Sequence, residues 1–230
     1  MKKALWSALI VLIALILVPV LAVPPVIESA LNRVSSASTT PPSANAQELH
    51  ASLRIVDLHA DTLLWGRDLL RRSQRGHVDV PRLIAGNVAL QVFTAVTKTP
   101  RGLNYERNDA NSDNIIWLAL IQRWPPRTWG SLTERALYLA KRFDAAVASS
   151  NGTLVAIRTS RELSAHLRRR EKERGITAGI LGIEGAQALD GKLENLDRLY
   201  NAGYRYISLT HFFDDEFAGS SAGVAKGGLT

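Results

Sequence analysis

Apolar residues fall into three regimes along the chain. Lys2 and Lys3 precede an apolar run over 4–23 that carries no charge and is broken in character only by Ser7 and Pro19. Residues 35–46 (SSASTTPPSANA) are uncharged and rich in Ser, Thr, Pro and Ala, the composition of a solvated linker. From Gln47 onward, short apolar runs alternate with segments of helical spacing. RIVDL (54–58), VALQVFTAVT (88–97), residues 153–157, TAGILGI (177–183) and YRYISLT (204–210) read as five strands. Helices are expected over 59–75, 111–123, 131–149, 160–174 and 193–202. The third is the clearest: Ser131 caps it, Glu134 completes a capping box, and Leu132, Ala136, Leu139, Ala140 and Phe143 form one apolar face. Ser160 caps the fourth, and Gly175 and Gly203 close the last two.

Strands apolar on both faces, alternating with helices, predict an α/β fold whose parallel sheet is covered by helices. A barrel and an open doubly wound sheet both satisfy this. No GxGxxG follows the first strand, so the open dinucleotide-binding sheet lacks its main support. The expected organisation is a signal anchor or signal peptide over 1–23, a linker over 24–46 and a folded unit over 47–230. Twenty apolar residues can cross a bilayer core of about 30 Å. The lysine pair would stay cytoplasmic and the rest would be exported, periplasmic or at the cell surface. The length of the run favours an uncleaved anchor, and Val20-Leu21-Ala22 offers a cleavage site.

Composition narrows the chemistry. With 46% hydrophobic and 21% charged residues the chain is globular rather than disordered. It has no Cys, which excludes disulfides, thiolate metal sites and a cysteine nucleophile. Any metal must be held by His and carboxylates. The net charge of +7 concentrates at Arg67, Arg71, Arg72 and Arg75 and in RRREKER (168–174). No aromatics interleave with these runs, and Glu171 and Glu173 dilute the second. They read as solvated faces, and no nucleic-acid partner is expected.

Chemistry-bearing residues collect where strands end. The first strand runs into DLHAD, and period-two alternation puts His59 and Asp61 on one side of the chain. Together they form either a hydrogen-bonded structural pair or two ligands of a divalent cation. Glu184 follows TAGILGI directly, next to an apolar interior where an unpaired charge is costly; it is a helix N-terminal charge or a ligand. His211 follows ISLT, as a satisfied histidine or a functional one. Parallel α/β folds bring such strand ends to one face, where their active sites lie.

DLHADT near the start of the folded unit, IEG after one strand and SLTH after the next resemble, as a set, the zinc-dependent membrane dipeptidase (renal dipeptidase) family of the amidohydrolase superfamily. The resemblance covers roughly 54–221. It implies a (β/α)8 TIM-type barrel and hydrolysis of small dipeptides by a hydroxide bridging two Zn2+ ions. His59 and Asp61 would bind the first zinc, Glu184 would bridge both, and His211 would contact the substrate carbonyl or the tetrahedral intermediate. Departures are Ala60 where relatives often have Asn, and Phe212-Phe213-Asp214-Asp215 after His211 where they commonly have a small residue and then Asn. Residues 100–130 look like an extra segment.

The family's second zinc takes two further His ligands, and no His follows His211. Five strands are expected here against eight, and residues 47–230 are fewer than the ~250 typical of such a barrel. The expectation is an incomplete barrel with three of five zinc ligands, truncated before the second zinc's histidines, binding metal poorly and hydrolysing little on its own. Two alternatives stand beside the dipeptidase: another metal-dependent amidohydrolase acting on a lactone, cyclic amide or phosphoester, and an inactive membrane-tethered fragment. Glu184 in the bridging place favours the dipeptidase, because many relatives use a carbamylated Lys and no Lys ends a strand here. A homodimer stays open.

Overall fold

The computed structural model describes residues 6–7, 22–35 and 41–230. Most of the apolar run over 4–23, with the membrane helix expected from it, lies outside these residues. Among the described residues no helix is long and apolar enough to cross a membrane.

Residues 22–31 form helix α1, and α2 spans Ala44–Ser52, capped by Ser43. The segment expected as linker thus contains helix at both ends. Strands β1 (Ile55–Ala60), β2 (Val88–Val96), β3 (Leu154–Ala156), β4 (Thr177–Glu184) and β5 (Tyr204–Ile207) match the five expected runs closely. Helices α3 (Val80–Ala85), α4 (Ile115–Ile121), α5 (Leu132–Ser149), α6 (Ser160–Lys172) and α7 (Glu194–Asn201) cover them.

All strand pairs are parallel, as the apolar runs predict. β2 lies between β1 and β4. The far edge of β4 is shared: β3 pairs with its first residues, Thr177–Gly179, and β5 with Leu181–Ile183. The continuous walk is therefore β1-β2-β4-β5, with β3 a short patch below β5. All five expected strands belong to one parallel sheet, with β3 and β5 sharing the far edge of β4. No barrel closure is seen among the described residues. Val56 and Leu58 on β1, and Tyr206 and Leu209 at β5, are exposed at the two flanks.

The core lies between the sheet and α5. Phe93 of β2 and Phe143 of α5 meet with ring centroids 5.3 Å apart. Gly179 of β4 makes this possible, because a Cβ there would sit 2.6 Å from the Phe143 ring and 2.8 Å from Phe93. Leu139, Leu181, Ile183 and Leu199 complete this fully buried layer. Gly182, on the opposite face, lets Tyr206 approach β4 just below Glu184, with a would-be Cβ 2.8 Å from the ring.

Local chemistry corrects several expectations. The helix expected over 59–75 is a single 3-10 turn (Thr62–Leu64) followed by irregular chain to Asp79. Polar side chains compete for that backbone: Asp68 accepts from Leu70 N, Ser73 from Arg75 N, and Arg67 donates to the carbonyls of Arg75 and Val78. Asp79, with Pro81 in the first turn, starts α3 instead. Ser131 caps α5, but Glu134 does not reach back to close the box; its carboxylate pairs with Arg127 and Arg198. Asp190 serves the α5 N-terminus, accepting from Leu132 N and Thr133 N. The full capping box belongs to α6, with Thr159 as the cap rather than Ser160, and Glu162 as its partner.

The basic runs are also less uniform than expected. Arg67 is buried and pairs with the buried Glu28 of α1 at 2.5 Å, with Arg75 at 3.5 Å from the same carboxylate. In α6, Arg170 points inward and donates to Ile176 O and Asn87 Oδ1, while Arg169 and Glu173 form an exposed pair.

Candidate metal centre

The four candidate residues converge at the C-terminal ends of β1, β4 and β5. How β1 delivers its pair depends on a bulge. Asp57 is level with Gln91 and Ala60 with Phe93, so β1 contains one residue more than β2 between these points. Below the bulge, Asp57 shares a side with Gln91. Above it, counting on from Ala60, His59 falls level with Val92 and Asp61 with Thr94. The extra residue thus turns both side chains to the face that carries Thr94, Gly182 and Glu184. Such bulges recur beside active sites, where they re-aim side chains.

The geometry is close. His59 Nε2 lies 3.3 Å from Asp61 Oδ1 and 3.6 Å from Glu184 Oε2. One ligand atom from each of these three residues falls within a 4.8 Å cluster. His211 Nε2 reaches Glu184 Oε1 at 3.1 Å from the other side. Glu184 is therefore the centre of the constellation, with His59 and His211 on its two oxygens.

Glu184 is the last residue of β4, level with Val96. Gly185 turns the chain immediately after it at φ 97°, a conformation L side chains rarely adopt. Three bonds fix this corner: Gly185 N donates to Ser208 Oγ at 2.7 Å, Ala186 N to Leu209 O at 3.1 Å, and Gln187 Nε2 to Glu184 O at 3.0 Å. Asp61 sits just past β1 at the start of the 3-10 turn, without capping it. Its Oδ1 accepts a hydrogen bond from Thr94 Oγ1, a fully buried hydroxyl on β2.

Burial and crowding set the protonation. The Glu184 carboxyl is pushed up to about 7, first by burial and then by the neighbouring Asp61, with His59 opposing. His211 is pushed down to about 4, first by burial and then by His59. Its Nδ1 is buried with no hydrogen-bond partner, and its ring lies against Phe212 with centroids 4.0 Å apart. The acids after it hold turns: Asp214 accepts from Ser220, Val224 and Ala225 N, and Asp215 from Phe217 and Ala218 N.

Two carboxylates and an imidazole nitrogen on one small cluster form the N,O donor set that suits a borderline or hard divalent cation. Burial, and after it the neighbouring Asp61 carboxylate, raise Glu184, and a cation between the carboxylates would offset both, so these residues fit the group. Thr94 and Ser208, which hold this arrangement, were not singled out by sequence reasoning. A lone hydroxyl at the seventh position of an apolar strand was the available signal for Thr94.

A parallel α/β sheet with such a cluster at its strand ends defines a candidate metal-dependent hydrolase site. The sequence profile of the membrane dipeptidase family, peptidase family M19, matches residues 43–230, and the chain belongs to that family. Among solved structures, the chain is similar to the probable dipeptidase PvdM from Pseudomonas aeruginosa, at 15% identity and TM-score 0.50, covering 76% of this chain and 39% of that one. A dipeptidase AC of family M19 matches at 21% identity and TM-score 0.49, over 69% of this chain and 43% of that one. A metallo peptidase from Rhodobacter sphaeroides, liganded with a phosphinate mimic of the dipeptide L-Ala-D-Ala, matches at 20% identity and TM-score 0.47, over 69% and 45%. The chain thus spans less than half the length of these structures.

Proposed function

We propose that the site serves zinc-dependent hydrolysis of small dipeptides on a (β/α)8-type scaffold, of which β1, β2, β4 and β5 form consecutive strands. The observation that carries this reading is the convergence of His59, Asp61 and Glu184 within 4.8 Å at the strand ends, in a member of the membrane dipeptidase family. His59 and Asp61 would hold one cation, and Glu184, with two oxygens facing different neighbours, is placed to bridge to a second. When bound, the cations supply Lewis acidity toward the scissile carbonyl and lower the pKa of water.

The chain's own residues set the rest. His211 is neutral near pH 7 and stands against Glu184 Oε1, where an imidazole can donate a hydrogen bond to a carbonyl oxygen on which charge develops. Phe212 and burial keep water from its ring, which strengthens that donation. The lysine pair and the apolar run over 4–23 support an anchored or exported, extracytoplasmic position.

The test is hydrolysis of Gly-Xaa and D-amino-acid dipeptides by the purified chain with Zn2+, beside lactones as the competing substrate class. Dipeptide turnover lost in His59→Ala supports the reading. Turnover of lactones alone, or activity indifferent to His59→Ala, overturns it.

A further inference from the structure

We infer that Thr94 is the positioning residue of the centre, holding the Asp61 carboxylate in the orientation a cation requires. The inference rests on the metal-site reading above and names a residue outside the ligand set. Asp61 needs such a partner. It lies beyond the last residue of β1, at backbone angles of −85° and 26°, outside the regular strand, and its side chain makes no cap bond to the turn it begins. Its side chain is about one third exposed, so packing alone does not fix it. Its neighbour His59 is itself nearly half exposed.

Thr94 has the opposite character. It sits on β2, between β1 and β4, and is 0% exposed. A β-branched side chain in a strand has few rotamers, and burial removes the rest. Its Oγ1 donates to Asp61 Oδ1. The bulge in β1 is what brings Asp61 level with it. The hydroxyl thus transfers the rigidity of the central strand to a ligand on a loop. It occupies one lone pair of Oδ1 and leaves Oδ2 and the remaining Oδ1 lone pair for a cation. Partners of ligating carboxylates commonly control metal affinity by 10- to 100-fold.

Thr94→Val removes the donor at nearly constant volume, and Thr94→Ser restores it. Two measurements on the full chain separate the inference from the metal reading. In metal-free protein, three-bond NMR couplings report the Asp61 χ1 angle. One fixed rotamer is expected in the parent and in Thr94→Ser, and an averaged one in Thr94→Val. In a titration with Zn2+, Thr94→Val is expected to bind about 10- to 100-fold more weakly, and Thr94→Ser within about 3-fold of the parent, well inside that range. A fixed Asp61 rotamer in Thr94→Val, or a serine variant as impaired as the valine variant, overturns the positioning role. A parent chain that binds no Zn2+ overturns the metal reading, and the rotamer measurement still decides the role of Thr94.

Discussion

Two charged clusters in this molecule, one fully buried and one partly exposed, are built on opposite terms. Around Arg135, 1% exposed, every part of the guanidinium is engaged. Nε donates to Thr128 O at 2.7 Å, Nη1 to Thr97 O at 2.7 Å and to Asp113 Oδ2 at 2.6 Å, and Nη2 to Trp129 O at 3.1 Å. Three of its four acceptors are backbone carbonyls that ordered loops supply. Around Glu184, by contrast, the facing groups are ionisable side chains, His59, His211 and Asp61; burial first and Asp61 second push its carboxyl up, and His59 opposes them. The first cluster fastens the loops after β2 to α5. The second is left in tension. A buried charge satisfied by backbone is architecture, whereas titratable groups pressed against one another are the signature of a candidate functional site.

The largest effect that would separate the two is at Arg135. Arg135→Ala strands the partly buried Asp113 carboxylate and several carbonyls, and should cost about 3–5 kcal/mol in urea unfolding. A loss below about 1 kcal/mol would mean the cluster is not architectural in the sense drawn here.

Next comes pH, read in metal-free protein with chelator present. Glu184 has its pKa raised from 4.5 to about 7, so folding takes up a proton in that window and stability falls as pH rises through it. His211 has its pKa lowered from 6.5 to about 4, so folding releases a proton there and stability rises with pH. The two oppose each other between pH 4.5 and 6.5, so their combined contribution should be nearly flat across that range. Glu184→Gln removes the falling part. Its urea midpoint should climb from pH 4 to 6.5 by the equivalent of about 3 kcal/mol. A flat curve for the variant would show that His211 is not held neutral.

Divalent cation should then relieve the tension. With Zn2+ at about 100 times its dissociation constant, the parent gains about 2.7 kcal/mol. Asp61→Asn and His59→Ala should lose most of that gain while changing metal-free stability by less than about 1 kcal/mol. Equal gains in parent and variants would place the cation elsewhere. The smallest effect is expected at the exposed pair on α6: Arg169→Ala should change stability by no more than about 0.5 kcal/mol.

What could be read from the sequence follows the same division. The strands were legible because buried parallel strands must be apolar on both faces, and Val88–Val96 and Thr177–Glu184 satisfy that almost residue for residue. Helix α5 was legible from its cap and its apolar stripe. The stretch after Asp61 was not, because its LL pairs and arginines have helical texture while Asp68, Ser73 and Asp79 capture the backbone over distances a periodicity cannot register. Nor could a pattern reveal that β3 and β5 share one edge of β4, since both are short apolar runs. His59, Asp61, Glu184 and His211 could be nominated because they interrupt apolar strands with chemistry. Thr94 could not, because threonine is also an ordinary strand former.

The bulge in β1 has a consequence for how this strand tolerates change. Immediately upstream of it, Val56 and Asp57 keep step with Leu90 and Gln91 in one phase; downstream, Ala60 keeps step with Phe93 in the other. The anchoring half and the ligand-bearing half are mechanically out of gear with each other. Side chains near Ile55 can be exchanged by the rules of hydrophobic packing without moving the imidazole and carboxylate above them. Deleting Leu58 would close the detour with His59 still level with Val92 and Asp61 with Thr94, so the candidate ligands would keep their face. The bulge matters because it lets these same residues reach that register without shortening the strand.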